Sequence, residues 1–158
     1  MTQGNVWKFE DNVDTDQIIS SQYLLLSTID EMKGYAFESL RPDFVGAFTS
    51  GDMIVGGYNF GCGSSREQAP AVLKALGASV VIARSFARIF FRNSINIGLP
   101  LIICDALYDD VQEGNALAID FEKGEIRLNE STYTFHKFPD HLVNIMEHGG
   151  LIEYINSL

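Results

Sequence analysis

Apolar and polar positions follow a regular order through the first two thirds of the chain. Val6–Phe9 alternates as a first strand. Beyond it, apolar runs rich in β-branched residues are separated by stretches with helical spacing. The strands are expected at Asp52–Gly56, Ala78–Ala83 and Leu99–Cys104, and the helices between them at Glu67–Gly77 and Phe86–Asn93. Strands that alternate with helices predict parallel pairing through right-handed crossovers.

Two other parts of the chain do not show this alternation of strands and helices. A short helix is expected at Asp30–Leu40, with Asp30 as its N-cap and Pro42 ending it. The C-terminal third shows short strands separated by turn residues, which favours antiparallel pairing, and then a closing helix that ends at Gly149. These strands are predicted at Leu117–Phe121, Glu125–Leu128 and Thr132–Phe135. We therefore predict an α/β fold, a three-layer β/β/α swivelling domain with a mixed sheet, spanning residues 1–158 as a single domain.

Composition narrows the possible functions. With 46% hydrophobic and 20% charged residues in 158, the chain can bury a core. Its longest mainly apolar stretch, Ile97–Cys104, is too short to cross a bilayer, and the N-terminus lacks the pattern of a secretory signal, so a cytoplasmic location is expected. The net charge of −10 would repel a phosphate backbone. We therefore expect neither nucleic acid nor membrane as a partner.

A glycine-rich turn carries the candidate chemistry. Gly61–Glu67 lies between a predicted strand and a predicted helix, where backbone N–H groups and the helix dipole favour an anion. The turn matches neither a dinucleotide-binding fingerprint nor a P-loop, which favours a small carboxylate as the ligand. Arg66 would bind that carboxylate, unless it is simply solvated or paired with a glutamate.

The two serines of the turn have a structural alternative. Ser64 with Glu67, and Ser65 with Gln68, each fit a capping box, and only one serine can cap the helix. If Ser65 caps, the hydroxyl of Ser64 stays free over the anion site. Ser64 is then a candidate catalytic group.

Metal ligands are scarce. Cys62 and Cys104 are too few for a zinc or cluster site, so we expect Cys62 to pack beneath the serine turn and Cys104 to be buried in the core. The three histidines have no metal-ligand spacing. Arg84, Arg88 and Arg92 recur every fourth residue, which places Arg88 and Arg92 on one helix face, either near glutamates or at a partner interface. A solvated or salt-bridged face is favoured. No cofactor-binding or metal-binding residue is predicted.

Together these motifs resemble a known family. Asn59–Glu67, Ala83–Asn93, Asn96–Pro100, the loop Asp14–Asp16 and the terminal Gly150–Ile155 closely resemble the small-subunit, or swivel, domain of the aconitase superfamily, in the short form that works with a separate large subunit. The resemblance covers essentially the whole chain.

The resemblance implies a hydro-lyase reaction that moves a hydroxyl between adjacent carbons by dehydration and rehydration. It implies Ser64 as the catalytic base and Arg66, with Ser65, as substrate-binding residues. Asp16 would orient an active-site group, although it also suits a turn-forming aspartate. A [4Fe–4S] cluster is implied on the large subunit, because two cysteines cannot ligate one. The partner is thus a large iron–sulfur subunit, in a heterodimer or heterotetramer.

The loop Tyr23–Leu26 bears on the substrate. In the homoaconitase branch the resembling loop carries an arginine that pairs with a distal carboxylate, whereas Leu25 stands here. With Leu26 it would pack against an isopropyl group and leave a third carboxylate unpaired, unless both leucines are core residues. The resemblance implies interconversion of 2-isopropylmalate and 3-isopropylmalate in leucine biosynthesis. The alternatives are a homoaconitate, dimethylmalate or citrate-like substrate, or a non-catalytic anion-binding assembly domain.

Overall fold

The computed structural model describes residues 1–158, and a seven-stranded sheet is its centre. The strands are β1 (Thr2–Lys8), β2 (Met53–Gly56), β3 (Val80–Ala83), β4 (Leu101–Ile103), β5 (Ala116–Asp120), β6 (Glu125–Leu128) and β7 (Ser131–Thr134). The helices are α1 (Thr15–Ile18), α2 (Ile29–Met32), α3 (Phe44–Ala47), α4 (Gln68–Ala75), α5 (Arg88–Asn96), α6 (Asp140–Glu147) and α7 (Leu151–Ser157). Two 3-10 turns occupy Ser21–Leu25 and Lys33–Tyr35.

The sheet is mixed, and β1 joins its two halves. The strand order is β4-β3-β2-β1-β5-β6-β7. β1 pairs in parallel with β2 through Val6 and Met53, and antiparallel with β5 through Thr2 and Ile119. All pairs from β1 to β4 are parallel, and β5 to β7 form an antiparallel meander. Both predicted pairing patterns are confirmed.

Each face of the parallel strands covers a separate hydrophobic core. On one face, Ile54 and Val81 belong to a cluster of 19 buried residues beneath the helices. On the other, Met53 and Val55 belong to a cluster of 13 buried residues that the meander covers. The strict alternation of β2 between the two cores follows from the two-residue period of a strand. The sheet thus curls over itself and gives the predicted three-layer β/β/α arrangement.

Glycines end the three longest helices. After α4, α5 and α6, the glycines Gly77, Gly98 and Gly149 adopt φ values of +93°, +83° and +87°. Each donates to a carbonyl of the last turn, and the next residue donates to the carbonyl before it, as in a Schellman motif. The predicted end of α6 at Gly149 agrees with this geometry. The sequence pattern did not predict α7. No helix has the length and apolar character needed to cross a membrane.

The predicted helix Asp30–Leu40 is wrong. The segment forms only the short α2, followed by a 3-10 turn, and its N-cap is Thr28, whose hydroxyl accepts a hydrogen bond from the Glu31 amide at 3.1 Å. Phe37 has a φ of +57°, which an α-helix does not allow, and its side chain is fully buried among the helical-side core residues. Core packing of this phenylalanine therefore overrides the helical spacing.

Candidate active site

Three loops meet at the carboxyl ends of the parallel strands. The loop after β1 bonds to the loop after β2 through Gly61 N and Val13 O at 2.7 Å, and the loop after β3 bonds to the same turn through Ala87 N and Phe60 O at 2.9 Å. Together with the first turns of α5 they enclose a cleft of about 340 Å³. Such an edge is where open α/β sheets bind ligands.

The glycines of the turn are required by their surroundings. Gly61 and Gly63 have φ values of +85° and +93°, which residues with a Cβ rarely adopt. A Cβ on Gly61 would overlap the ring of Phe90, and a Cβ on Gly63 would lie 2.8 Å from a carboxylate oxygen of Asp14. The turn is therefore packed between α5 and the loop after β1, and its serines are carried into the cleft.

Ser64 is exposed in the cleft and lies against Thr15. The Thr15 hydroxyl donates to the Ser64 carbonyl at 2.9 Å, and the two hydroxyl oxygens are 3.4 Å apart. Thr15 is only 2% exposed, so it fixes the turn from below. Ser65 is also exposed and lines the same cleft.

Neither serine caps the following helix, so the predicted capping boxes are wrong. The N-cap of α4 is Glu67, whose side chain makes no capping bond, and the helix begins at Gln68. The capping box of this region lies instead at α1, where Asp14 and Gln17 bond reciprocally to the backbone. Both serine hydroxyls are consequently free of a capping role.

Arg66 is held by the segment that contains α1. Its Nη1 atom donates to Asp16 Oδ1 at 3.1 Å and to the Ile19 carbonyl at 2.7 Å. The arginine side chain is 16% exposed and that of Asp16 is 60% exposed. Asp14, rather than Asp16, makes the turn-forming bond, since its carboxylate accepts from the Asp16 amide at 2.6 Å. Asp16 also accepts a longer bond from Ser21 N at 3.3 Å.

The two leucines of the proposed specificity loop lie outside the cleft wall. Leu25 is 90% exposed, at the end of a 3-10 turn. Leu26 is partly buried and packs against the core beneath the helices. Leu25 therefore has no packing role within this chain.

The sequence pattern missed several cleft residues. Arg84 lies in the loop after β3 rather than on the helix, and it is salt-bridged to Asp105 at 2.5 Å and to Asp109 at 3.0 Å. Arg88, however, lines the cleft, together with Asn93 five residues later on α5. Arg88 is the first residue of α5 and Asn93 lies five residues further on, and their common position in the cleft becomes evident only once α5 is placed beside the turn.

The two thiols do not fit an iron–sulfur cluster. Cys62 lies in the serine turn, with its Sγ 3.8 Å from the Val13 carbonyl, and Cys104 belongs to the core beneath the meander. Burial raises the pKa of both thiols, and the Asp14 carboxylate raises that of Cys62 further. Cluster ligands are thiolates. No group of three or more histidine, cysteine or acidic side chains is placed to hold a metal ion.

Comparison with known proteins places the chain in a family. Residues 43–105 match the model of the aconitase C-terminal domain. A 3-isopropylmalate dehydratase small subunit of Lachnospira eligens is 51% identical, over 98% of this chain and 94% of its own. A methanogen homoaconitase small subunit of Methanothermobacter thermautotrophicus is 47% identical, over 96% and 89%.

A solved structure agrees over the same length. The crystal structure of 3-isopropylmalate dehydratase from Methanocaldococcus jannaschii superposes with a TM-score of 0.93, at 39% sequence identity, over 99% of this chain and 93% of its own. Identity of this extent along nearly the whole chain shows common descent rather than a shared fold alone. The chain belongs to the 3-isopropylmalate dehydratase small-subunit family of the aconitase superfamily.

Proposed function

We propose that this chain is the small subunit of a 3-isopropylmalate dehydratase, a hydro-lyase that interconverts 2-isopropylmalate and 3-isopropylmalate in leucine biosynthesis. The observation that carries the proposal is the cleft, in which the exposed hydroxyl of Ser64 and the guanidinium of Arg66 line one wall beside the buried Thr15. The similarity to dehydratase small subunits supports it along nearly the full length of the chain.

The reaction needs a base beside a bound carboxylate. Dehydration removes a proton from one carbon and the hydroxyl from its neighbour, which leaves a carbon–carbon double bond and water. Rehydration returns the proton and hydroxyl to the opposite carbons. We assign Ser64 Oγ as the group that takes and returns the carbon-bound proton. The cationic Arg66 favours a negatively charged serine oxygen electrostatically.

Arg66 is assigned to the substrate carboxylate. Asp16 and the Ile19 carbonyl both take hydrogen bonds from Nη1, so Nη2 and Nε remain available to a carboxylate. A guanidinium held at one nitrogen is pre-oriented, which reduces the entropy lost when it binds substrate. Asp16 is therefore a positioning residue in this proposal. Ser65, at the mouth of the cleft, is assigned a hydrogen bond to substrate.

The iron–sulfur cluster of the superfamily is assigned to the large subunit, because the two thiols of this chain lie apart, one in the serine turn and one in the core beneath the meander. The partner would complete the cleft from its open side, in a heterodimer or heterotetramer. This chain would contribute the base and the carboxylate-binding arginine.

The decisive experiment is Ser64→Ala in the assembled two-chain enzyme, with isopropylmalate as substrate. Loss of a general base predicts a fall in kcat of roughly 10²- to 10⁴-fold with unchanged subunit assembly. Ser65→Ala should mainly raise KM, and Ser27→Ala, at an exposed position outside the cleft, should match the parent. Unchanged turnover in Ser64→Ala would instead favour a non-catalytic anion-binding assembly domain.

One relative is named a homoaconitase small subunit, so homoaconitate is a second candidate substrate. The exposed apolar side chain of Leu25 favours isopropylmalate, since it offers no partner to a third carboxylate. Rates measured side by side with isopropylmalate and homoaconitate would separate the two classes.

A further inference from the structure

The solvent face of α5 is basic, although the chain as a whole is acidic. It carries Arg88, Ile89, Arg92, Asn93 and Asn96, and α5 contains no acidic residue. Its opposite side is anchored in the core by buried residues such as Phe90 and Ile95. In a chain with a net charge of −10, this helix is a local basic surface.

The arginines of this face also differ from the others in their partners. The chain has six arginines. Arg41, Arg66, Arg84 and Arg127 each form an ion pair with an acidic side chain. The two without an ion pair are Arg88 and Arg92, both exposed and one helical turn apart on α5. Arg88 stands in the first turn, where the helix dipole disfavours a cation.

An apolar side chain completes the surface. Ile89 is 48% exposed between the two arginines. Arg88, Ile89 and Asn93 line the cleft, and the same face continues along the helix through Arg92 and Asn96. A partner that covers the open side of the cleft would therefore meet this face next.

We propose that the solvent face of α5 is the docking surface for the large iron–sulfur subunit, and that it takes an acidic patch of that subunit with an apolar residue at its centre. The proposal rests on the proposed function, because the partner must reach a substrate that Ser64 also touches. Two unpaired guanidinium groups around a half-exposed isoleucine match the composition of interfaces, where arginine is enriched. The rest of the chain is acidic and would repel an acidic partner that approached it. The basic face would therefore also orient the two subunits as they meet.

Charge reversal tests the proposal in the two-chain enzyme. Sedimentation velocity would measure the Kd between the large subunit and the parent chain, Arg92→Glu, or the matched control Arg127→Glu, which makes the same change on β6. We expect Arg92→Glu and Arg88→Glu to weaken association at least about tenfold, because like charges would then face each other. Arg127→Glu should change the Kd less than about threefold.

Two further measurements sharpen the result. The Kd of the parent should rise with added salt, because salt screens the exposed arginines from the partner's acidic groups. The slope of log Kd against log salt concentration should be smaller in Arg92→Glu. At saturating large subunit, Arg92→Glu should regain the parental kcat. If its circular dichroism shows that Arg92→Glu does not fold, Arg92→Gln replaces it, with an expected loss in affinity of about threefold or more.

A Kd for Arg92→Glu equal to that of Arg127→Glu would overturn the proposal, and so would a raised KM with an unchanged Kd, which would make the arginine a substrate ligand. The binding measurement does not depend on the reaction. Tight, salt-sensitive assembly without isomerisation of isopropylmalate would therefore refute the proposed function and leave the docking surface standing.

Discussion

Replacing Asp16 by alanine should separate folding from activity. Its carboxylate accepts from Arg66 Nη1 at 3.1 Å and more weakly from Ser21 N at 3.3 Å, and it is 60% exposed. An ion pair this open to solvent contributes about 0.2–1 kcal/mol to stability. Arg66 also keeps its bond to the Ile19 carbonyl at 2.7 Å, so its charge is not left without a partner.

The catalytic cost should be larger than the cost in stability. Without Asp16, Arg66 is held at one acceptor instead of two and can rotate away from the position of the substrate carboxylate. A misplacement of about 1 Å can lower a rate by about 100-fold. We therefore expect kcat/KM of Asp16→Ala to fall by about 10- to 100-fold, equivalent to about 1.4–2.7 kcal/mol of transition-state stabilisation.

Two measurements check the prediction. Urea unfolding of the chain would be followed by the fluorescence of Trp7, its single tryptophan, which packs edge-on against Phe44 with ring centroids 5.0 Å apart. Steady-state kinetics would be measured on the assembled enzyme. Asp30→Ala is the matched control, because it removes an exposed ion pair with Lys33 at 3.3 Å outside the cleft. The reasoning fails if Asp16→Ala keeps parental kcat/KM, or if it unfolds more easily than the control by over about 3 kcal/mol.

The remaining predictions concern the turn and the specificity loop. Gly61→Ala should destabilise the chain by about 2 kcal/mol or more and lower the activity of the folded fraction, because a left-handed backbone and the Phe90 ring both exclude a Cβ. The control is Gly34→Ala, where a Cβ meets open space, and an unfolding curve of Gly61→Ala equal to that of the parent would contradict the prediction. Leu25→Arg should shift the ratio of kcat/KM values from isopropylmalate towards homoaconitate, measured with both substrates in the assembled enzyme; equal changes for both would mean that Leu25 does not contact the substrate.

Much of the fold follows from patterns that the sequence carries locally. The β-branched runs of β2 and β3 are buried on both faces, so they appear as continuous apolar stretches rather than as alternation. Glycines mark the ends of α4 and α6, where a left-handed residue closes the helix. Such features depend on neighbours within a few residues, and prediction from the sequence therefore succeeded there.

The capping of the serine turn could not be predicted in the same way. The pattern Ser-x-x-Glu is a local signal, but here the turn is held by distant groups, since Thr15 N donates to the Cys62 carbonyl at 2.8 Å across 47 residues of sequence. With the turn held there, Ser64 and Ser65 stay outside the helix, which begins only at Gln68. The loss of a cap costs about 1 kcal/mol, which contacts with Thr15 can offset.

The position of Leu25 shows why the substrate is harder to predict from the sequence than the type of reaction. Ser64 and Arg66 lie on a turn that is held by contacts within this chain, to Thr15 and to the Ile19 carbonyl. Leu25 is 90% exposed, and its surroundings would be supplied by substrate and partner. An exposed leucine contributes almost nothing to the stability of the chain, so folding does not constrain its identity. If the proposed roles hold, substrate preference can change at Leu25 without cost to the fold, whereas Ser64 and Arg66 cannot move without disturbing the contacts that hold them.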